Sequence, residues 1–282
     1  PRTEAAVPIE GETLAVRALD PTPLVGIAAF LDGIQSTRVL QYLPGGVPVI
    51  FGTVAAVVRE RRDRTLHTWN GAPELSTRVY LPRAVTPTGQ LATFDAAGIP
   101  VHDTLDGGDA AEAQHPQLLL ALARTAVQRE RERLETALAE RWCATGGGAI
   151  YVDGGISGAG DAARSPRAVG VVKSHRTLYA AGEGIGVVTR LRVGERTTAF
   201  EIRSPRRTAV ASWYLRLREA TDPMFGLVRI EIAREGFRAE RADLVSRWVL
   251  AERTPLALPD HRWHAMAYGI ADCERYLRAI AP

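Results

Sequence analysis

Short apolar runs, rich in β-branched residues and bounded by Gly, Pro or charged residues, dominate the first eighty positions of the chain. An apolar strand ending at Asp32, then a glycine turn and a second strand, are predicted over residues 24–43. Two further runs, at 47–61 and 76–82, also predict strands. Residues 1–23 hold little core material and are predicted to form an N-terminal arm.

The centre of the chain changes from a strand-like to a helical pattern. Residues 83–115 contain Pro, Gly and Asp throughout, which predicts irregular structure. Residues 116–142 then predict a long helix, with Val127, Leu134 and Leu138 along one apolar stripe.

The second half returns to strands and closes with helices. A buried strand is predicted to end at Asp153, and alternating residues at 208–217 and 226–234 predict a hairpin. Helical periodicity at 240–253 and 261–280 predicts two amphipathic helices.

This order of elements predicts one α/β domain with a mixed β-sheet over residues 24–282. The 46% hydrophobic and 24% charged residues are typical of a soluble globular protein. No apolar stretch approaches the length of a membrane span, and the first residues do not resemble a signal peptide. The 2 cysteines lie far apart without a CxxC motif, which favours a reducing compartment. We therefore expect a cytoplasmic protein without a membrane partner.

Arginine is concentrated in short runs although the net charge is only +3. Lys173 is the single lysine, so the other basic side chains are guanidinium groups, which suit bidentate phosphate contacts. The alternative is a set of solvated helix and strand ends, since two of the arginine runs alternate with acidic residues. The candidates for nucleic-acid binding are Arg59, Arg61, Arg62, Arg206 and Arg207.

Two predicted strands end in the same Asp-Gly dipeptide, at Asp32 and Asp153. Carboxylates at the ends of buried strands lie where an α/β sheet opens its crevice, and a following Gly lets a ligand approach the backbone. Two such carboxylates on neighbouring strands would repel each other without a cation between them, and paired divalent metals hydrolyse phosphodiesters. Oxygen ligands favour Mn²⁺ or Mg²⁺. The alternative is two ordinary Asp-Gly turns.

A third carboxylate is available on the long helix. Glu135 shares a helical face with Leu138 and Trp142, so it is predicted to face the sheet. Glu132 and Glu140 are the alternatives, and they are predicted to point towards solvent.

Histidines and aromatic residues add weaker candidates. His264, with His261 three residues before it, could bind metal or act as an acid or base, and the absence of HExxH argues against zinc. Tyr179, Trp213 or Tyr214 could stack on nucleic-acid bases, although alternating strands more often bury such rings.

These segments, in this order, resemble the NurA nucleases. The resemblance covers most of residues 24–280 and is most specific over 150–175, where an Asp-Gly strand precedes a Gly-Val-Val-Lys strand. The matching segments read FLDGIQ, RLETALAERW, IYVDGGIS, GVVKSHRTLY, WYLRL with GLVRIEI, and WHAMAYGIA.

The resemblance implies an RNase H-like mixed sheet flanked by helices, with an added antiparallel hairpin and C-terminal helices. It implies a Mn²⁺-dependent nuclease with 5′–3′ exonuclease and single-strand endonuclease activity on DNA. Homodimers and a HerA-type hexameric ATPase partner, in DNA-end processing or phage defence, are implied as well. The residues that match the family's catalytic set are Asp32, Glu135, Asp153, Lys173 and His264, with Asp32, Glu135 and Asp153 as metal ligands.

The chain departs from the family pattern at two motifs. Ile34 stands where the family has Ser, and the last motif lacks a tyrosine and has Trp263 in place of Ala. His261 or Asp260 is therefore an alternative to His264. The alternative functions are a catalytically inactive RNase H-like adaptor that binds an ATPase ring or DNA, and an enzyme that acts on other phosphoesters.

Overall fold

The computed structural model describes residues 1–22, 24–63, 65–105, 115–145, 147–219, 221–253 and 267–281. The chain divides into two compact units. The first unit contains Pro1–Asp32, Val58–Trp69 and Thr136–Cys273, and the second contains Gly33–Val57, Asn70–Glu135 and Glu274–Pro282. The boundary expected between an arm at 1–23 and a domain at 24–282 stays a prediction.

Runs of strands are separated by single helices along the chain, and two helices follow the last strand. The strands are β1 (Arg2–Glu4), β2 (Val7–Pro8), β3 (Val16–Ala18), β4 (Ile27–Leu43), β5 (Val47–Arg62), β6 (Thr65–Thr68), β7 (Glu74–Leu81), β8 (Val101–Asp103), β9 (Ala149–Asp153), β10 (Ala168–Val172), β11 (Thr177–Tyr179), β12 (Glu195–Thr197), β13 (Phe200–Ile202), β14 (Val210–Arg216) and β15 (Leu227–Ala233). The helices are α1 (Thr88–Ala96), α2 (Pro116–Ala144), α3 (Glu183–Thr189), α4 (Ala239–Ala251) and α5 (Tyr268–Ile280).

The first unit is built on a mixed sheet in the order β2-β13-β14-β15-β10-β9-β4. Strands β4, β9 and β10 run parallel to one another, whereas β10, β15, β14 and β13 pair antiparallel. The predicted hairpin is confirmed, because β14 and β15 pair along their whole length. Every residue of both hairpin strands is buried, which places them in the core of this unit.

The N-terminal segment adds short strands to the first unit. Strand β1 pairs parallel with β11, β2 pairs with β13, and β3 pairs with β12. The side chain of Arg196 on β12 is fully buried and reaches back to Glu10 at 2.7 Å. This ion pair, with backbone pairing, fixes the segment to the sheet.

The second unit carries a smaller sheet and the start of the long helix. Strand β5 pairs antiparallel with β7 from Ile50↔Tyr80 to Ala56↔Glu74, and β7 pairs parallel with β8. Its core is an apolar cluster of Leu43, Val47, Val49, Val79, Leu81, Leu105 and Leu119. Tyr80 and Val127 close over Gly52, where a Cβ would lie 2.6 Å from the Tyr80 ring.

Most predicted elements are confirmed, including the long helix with its buried stripe of Val127, Leu134 and Leu138. The last helix is observed from Tyr268, and residues 261–266 lie outside the described part of the chain. None of the helices in the described ranges is long and apolar enough to cross a membrane.

Two predictions about local structure are wrong. The strand expected to end at Asp32 continues to Leu43 as β4, so Gly33 is extended rather than part of a turn. The stretch at 83–115 contains a helix, α1, and strand β8. Helix α1 escapes detection because it has no fully buried residue, and only Leu91 and Phe94 pack partly against the core.

Candidate active site

Asp32 and Asp153 lie next to each other at equivalent positions of two parallel strands. Strands β4 and β9 pair in register up to Leu31↔Val152, and the two aspartates are the next residues on each strand. Side chains at matching positions of adjacent strands project from the same face of the sheet. The predicted pairing of the two carboxylates on neighbouring strands is therefore present in the first unit.

Two aromatic rings lie on the same face, one step below the carboxylates. Phe30 and Tyr151 occupy the preceding same-face positions, and their ring centroids are 5.9 Å apart. Burial, and then the negative charges of nearby carboxylates that include Asp153 and Asp32, raise the pKa of Tyr151 well above its ordinary value. The phenol is therefore neutral. The rings of Phe30 and Tyr151 form an apolar layer on the sheet next to the two aspartates.

Lys173 brings an ammonium group to Asp153. Strand β10 runs parallel to β9 with Val171 opposite Asp153, so the side chain of Lys173, two residues further, returns to the same face. Its Nζ lies 2.8 Å from Oδ2 of Asp153, and the two side chains are only 14% and 16% exposed. Lys173 therefore lies beside the end of the strand that carries Asp153.

Glu135 lies in the second unit, on helix α2. A Cβ at Gly33 would collide with Oε1 of Glu135, so the carboxylate lies against the backbone of the residue that follows Asp32 in the chain. Glu135 also forms an ion pair with Arg131 one helical turn earlier. Of the two alternatives, Glu132 is exposed, whereas Glu140 accepts a hydrogen bond from the backbone N–H of Asp161.

Asp32 and Asp153 are the carboxylates that strands β4 and β9 offer to a divalent metal. Within the described residues, no group of three or more His, Cys, Asp and Glu side chains is arranged to hold a metal ion. The aspartate pair supplies two carboxylates, and Mg²⁺ in phosphate chemistry is commonly held by one or two carboxylates, with waters and phosphate oxygens completing the shell. The chemistry of the pair therefore fits Mn²⁺ or Mg²⁺ rather than a softer metal.

The arginines of strand β5 are engaged inside the first unit. Arg59 is paired with Asp272 at 2.7 Å, and Arg61 with the buried Glu252 at 2.6 Å. Arg62 is also paired, with Glu60 at 2.5 Å, but its side chain is 62% exposed. Of the three candidates on this strand, only Arg62 presents most of its side chain to solvent.

The second candidate pair lies on an exposed turn. Arg206 and Arg207 are exposed, and Arg206 has a positive φ of 67°. The turn contacts the loop that follows Asp153, since the N–H of Thr208 donates to the carbonyl of Ser157 at 2.9 Å. This hydrogen bond holds the turn with Arg206 and Arg207 against the loop that follows Asp153 in the chain.

The aromatic candidates lie within the described residues, whereas the histidine candidate does not. Trp213 and Tyr214 are 0% exposed, so neither ring can stack on a base, whereas Tyr179 is half-buried. His264, with its alternatives His261 and Asp260, lies outside the described residues.

Sequence reasoning missed Arg229 and Glu231, which are buried on strand β15. Nη1 of Arg229 lies 2.6 Å from Oε1 of Glu231. The signal was present in VRIEI, where two opposite charges interrupt an apolar strand two residues apart and so share one face.

The chain is similar to known proteins in structure rather than in sequence. No protein-family model and no curated protein matches it by sequence. Among solved structures it is similar to the NurA nuclease from Sulfolobus solfataricus, with a TM-score of 0.53 and 10% sequence identity over 92% of this chain and 82% of that chain. At this identity the similarity shows the fold, and the mixed α/β, NurA-like fold expected from the sequence is confirmed.

Proposed function

We propose that this protein is a metal-dependent deoxyribonuclease that hydrolyses phosphodiester bonds, with 5′–3′ exonuclease and single-strand endonuclease activity. The observation that carries the proposal is the pair of aspartates at matching positions of β4 and β9, with the Lys173 ammonium 2.8 Å from Asp153. Two carboxylates beside a cationic side chain match the needs of phosphodiester hydrolysis, in which negative charge must be held and neutralised. The NurA-like fold supports the same function.

In this proposal Asp32 and Asp153 hold Mn²⁺ or Mg²⁺. When bound, such a metal activates water and stabilises the charge that develops on the attacking and leaving oxygens. Glu135 is the proposed third carboxylate, because it lies against the backbone of Gly33, next to Asp32 in the chain. Its ion pair with Arg131 would have to open for this role.

Two more side chains have proposed roles. Lys173 is a compact point charge on a flexible stem, so its ammonium can leave Asp153 and contact a non-bridging phosphate oxygen beside the scissile bond. His264 is proposed to orient the attacking water or to protonate the leaving oxygen, with His261 or Asp260 as its alternatives.

DNA binding is proposed to follow the exposed arginines. Arg62, Arg206 and Arg207 present guanidinium groups that can contact phosphates, so binding should weaken steeply as salt rises. Arg59 and Arg61 are less suited to this role, because their carboxylate-paired side chains are only 13% and 22% exposed. A homodimer and a HerA-type hexameric ATPase partner belong to the proposal through the resemblance alone.

The test is degradation of single-stranded DNA in the presence of Mn²⁺. Asp32→Asn and Asp153→Asn should each lower the rate about 10²-fold or more, because a metal contributes several kcal/mol to transition-state stabilisation. Asp161→Asn is the matched control, since this aspartate is 91% exposed and belongs to the helical turn Gly160–Arg164 rather than to a strand. It should retain the wild-type rate.

Each alternative function has its own outcome. If wild-type protein binds DNA but leaves it intact with Mn²⁺, with Mg²⁺ and with a HerA-type ATPase, the inactive adaptor is the correct function. If it hydrolyses small phosphoesters but not DNA, the substrate class is wrong. Degradation that persists in both aspartate variants would show that the site lies elsewhere.

A further inference from the structure

The loop after Asp153 folds back over strand β10. Gly154 donates its N–H to the carbonyl of Val171 at 3.1 Å and has a φ of 128°. A Cβ at Gly170 would lie 2.8 Å from the carbonyl oxygen of Gly154 and 3.1 Å from the nitrogen of Ile156. Glycine at position 170 therefore lets the loop Gly154–Ser157 lie directly on the strand.

The loop ends on a buried carboxylate two strands away from Asp153. Oε2 of Glu231, on β15, accepts hydrogen bonds from the N–H of Ile156 at 2.8 Å and from that of Ser157 at 3.3 Å. Glu231 is only 2% exposed. A Cβ at Gly155 would lie 2.9 Å from the same oxygen, so the backbone also packs closely against the carboxylate.

The other oxygen of Glu231 is used as well. Oε1 accepts from Nη1 of Arg229 at 2.6 Å, and that guanidinium also donates to Ser212 at 3.2 Å and lies over the Tyr179 ring at 5.2 Å. Both oxygens of the carboxylate therefore accept hydrogen bonds, and its charge is balanced by Arg229. An amide side chain has one acceptor, so it could satisfy either the loop or Arg229, but not both.

We propose that Glu231 is a positioning residue that fixes the loop Gly154–Ser157 and thereby holds Asp153 in its metal-binding position. This role rests on the proposed function, in which Asp153 is a metal ligand. A buried ion pair is weak evidence for stability, because desolvation offsets most of the attraction. The hydrogen bonds from the two loop amides to Oε2 favour a positioning role for this buried charge rather than a stabilising one.

The same loop connects the candidate metal site to the exposed arginines. The carbonyl of Ser157 accepts from the N–H of Thr208 at 2.9 Å, and Nη1 of Arg207 lies 3.5 Å from Oγ of Ser157. Glu231 therefore anchors the loop Gly154–Ser157. This loop follows Asp153 directly at its start and contacts the Arg206–Arg207 turn at its end.

The test is the isosteric variant Glu231→Gln, measured in two ways. The amides of Ile156 and Ser157 should exchange with deuterium faster than in the wild type, because they lose their shared acceptor or the acceptor loses its ionic anchor. Mn²⁺ affinity, measured by electron paramagnetic resonance without DNA, should fall about 10- to 100-fold, as is typical when a partner that orients a metal ligand is lost.

Glu201→Gln is the matched control. Glu201 lies on β13 of the same sheet with a side chain that is 11% exposed. Its carboxylate accepts hydrogen bonds from Arg203 and Arg234, both at 2.7 Å, rather than from the loop amides. The control should lose stability without a change in Mn²⁺ affinity. If Glu231→Gln fails to fold, Gly155→Ala tests the same contact, because its Cβ would lie 2.9 Å from Oε2 of Glu231 and so displace the carboxylate.

The outcomes separate this role from the proposed function. If Asp153→Asn abolishes Mn²⁺ binding while folded Glu231→Gln and Gly155→Ala bind Mn²⁺ as the wild type does, Glu231 has no positioning role and the proposed function stands. If wild-type protein binds no Mn²⁺, or if Asp153→Asn binds it unchanged, both are overturned. Faster loop exchange together with weaker binding in the Glu231 variant supports both.

Discussion

The two Asp-Gly dipeptides have the same sequence and different backbones. At Asp32 the strand continues through Gly33 to Leu43, whereas at Asp153 it ends and Gly154 turns with a φ of 128°. The carboxylates nevertheless occupy matching positions, because β4 and β9 pair in register up to the residues before them.

The difference lies in what each glycine makes room for. Gly33 has an extended backbone, and the missing Cβ leaves space for the Glu135 carboxylate. Gly154 has no atom within 4 Å of a Cβ position, so its requirement is the positive φ alone. An Asp-Gly dipeptide after an apolar run therefore locates a carboxylate at a strand end, but the path of the following chain depends on tertiary contacts.

The largest expected effect concerns the cation on the Asp153 side. Lys173→Met removes the ammonium that contacts Asp153, and it should lower the rate of DNA degradation about 10²-fold, the loss seen when one charge-stabilising donor is removed. Lys173→Arg should also lose activity, because a planar guanidinium cannot replace a compact ammonium at a site this closely packed. Initial rates on labelled single-stranded DNA measure both.

Arg62→Met is the control for lost positive charge, since this side chain is 62% exposed. It should weaken DNA binding at low salt with little effect on the maximal rate. Full activity of Lys173→Arg would show that any cation suffices, and full activity of Lys173→Met would remove Lys173 from the catalytic set.

A smaller effect separates the two glycines. Gly154→Ala should lower the free energy of unfolding by about 1–3 kcal/mol, because an L side chain is strained at a φ of 128°. Gly33→Ala should cost less in stability, since its backbone is extended and the end of the Glu135 side chain can move. Urea denaturation of both variants measures the difference.

Gly158→Ala, in the same region as Gly154, supplies the reference. No atom lies within 4 Å of its Cβ position and its φ is not positive, so the change should stay within about 0.5 kcal/mol. Equal losses for the alanine variants at 154 and 33 would show that backbone conformation does not distinguish the two dipeptides.

The sequence located the two aspartates, Lys173 and most of the strands, because these depend on apolar runs and on chain order. The pattern VRIEI marks Glu231 as a charge on an apolar strand, but it does not reveal what the carboxylate binds, since the loop amides that donate to it lie 74 and 75 residues away in the chain. Arg59 and Arg61 show the same dependence on distant partners. The sequence predicts them as DNA contacts, whereas in the structure they pair with Asp272 and Glu252.

The smallest expected effect is a pH dependence on the Asp153 side, at His175, two residues beyond Lys173. Burial, and then the positive charges of Arg229 and Arg216, lower the pKa of His175 below 6.5. As the pH falls below about 6.5, the imidazole is protonated in the unfolded chain but not yet in the folded protein. The free energy of unfolding therefore decreases by at most about 1.4 kcal/mol per pH unit. In His175→Gln this contribution is absent, and the difference in unfolding free energy between the two proteins should shrink between pH 7.5 and 5.5. A difference that stays constant across this range would mean that His175 is protonated as readily in the folded protein as in the unfolded chain.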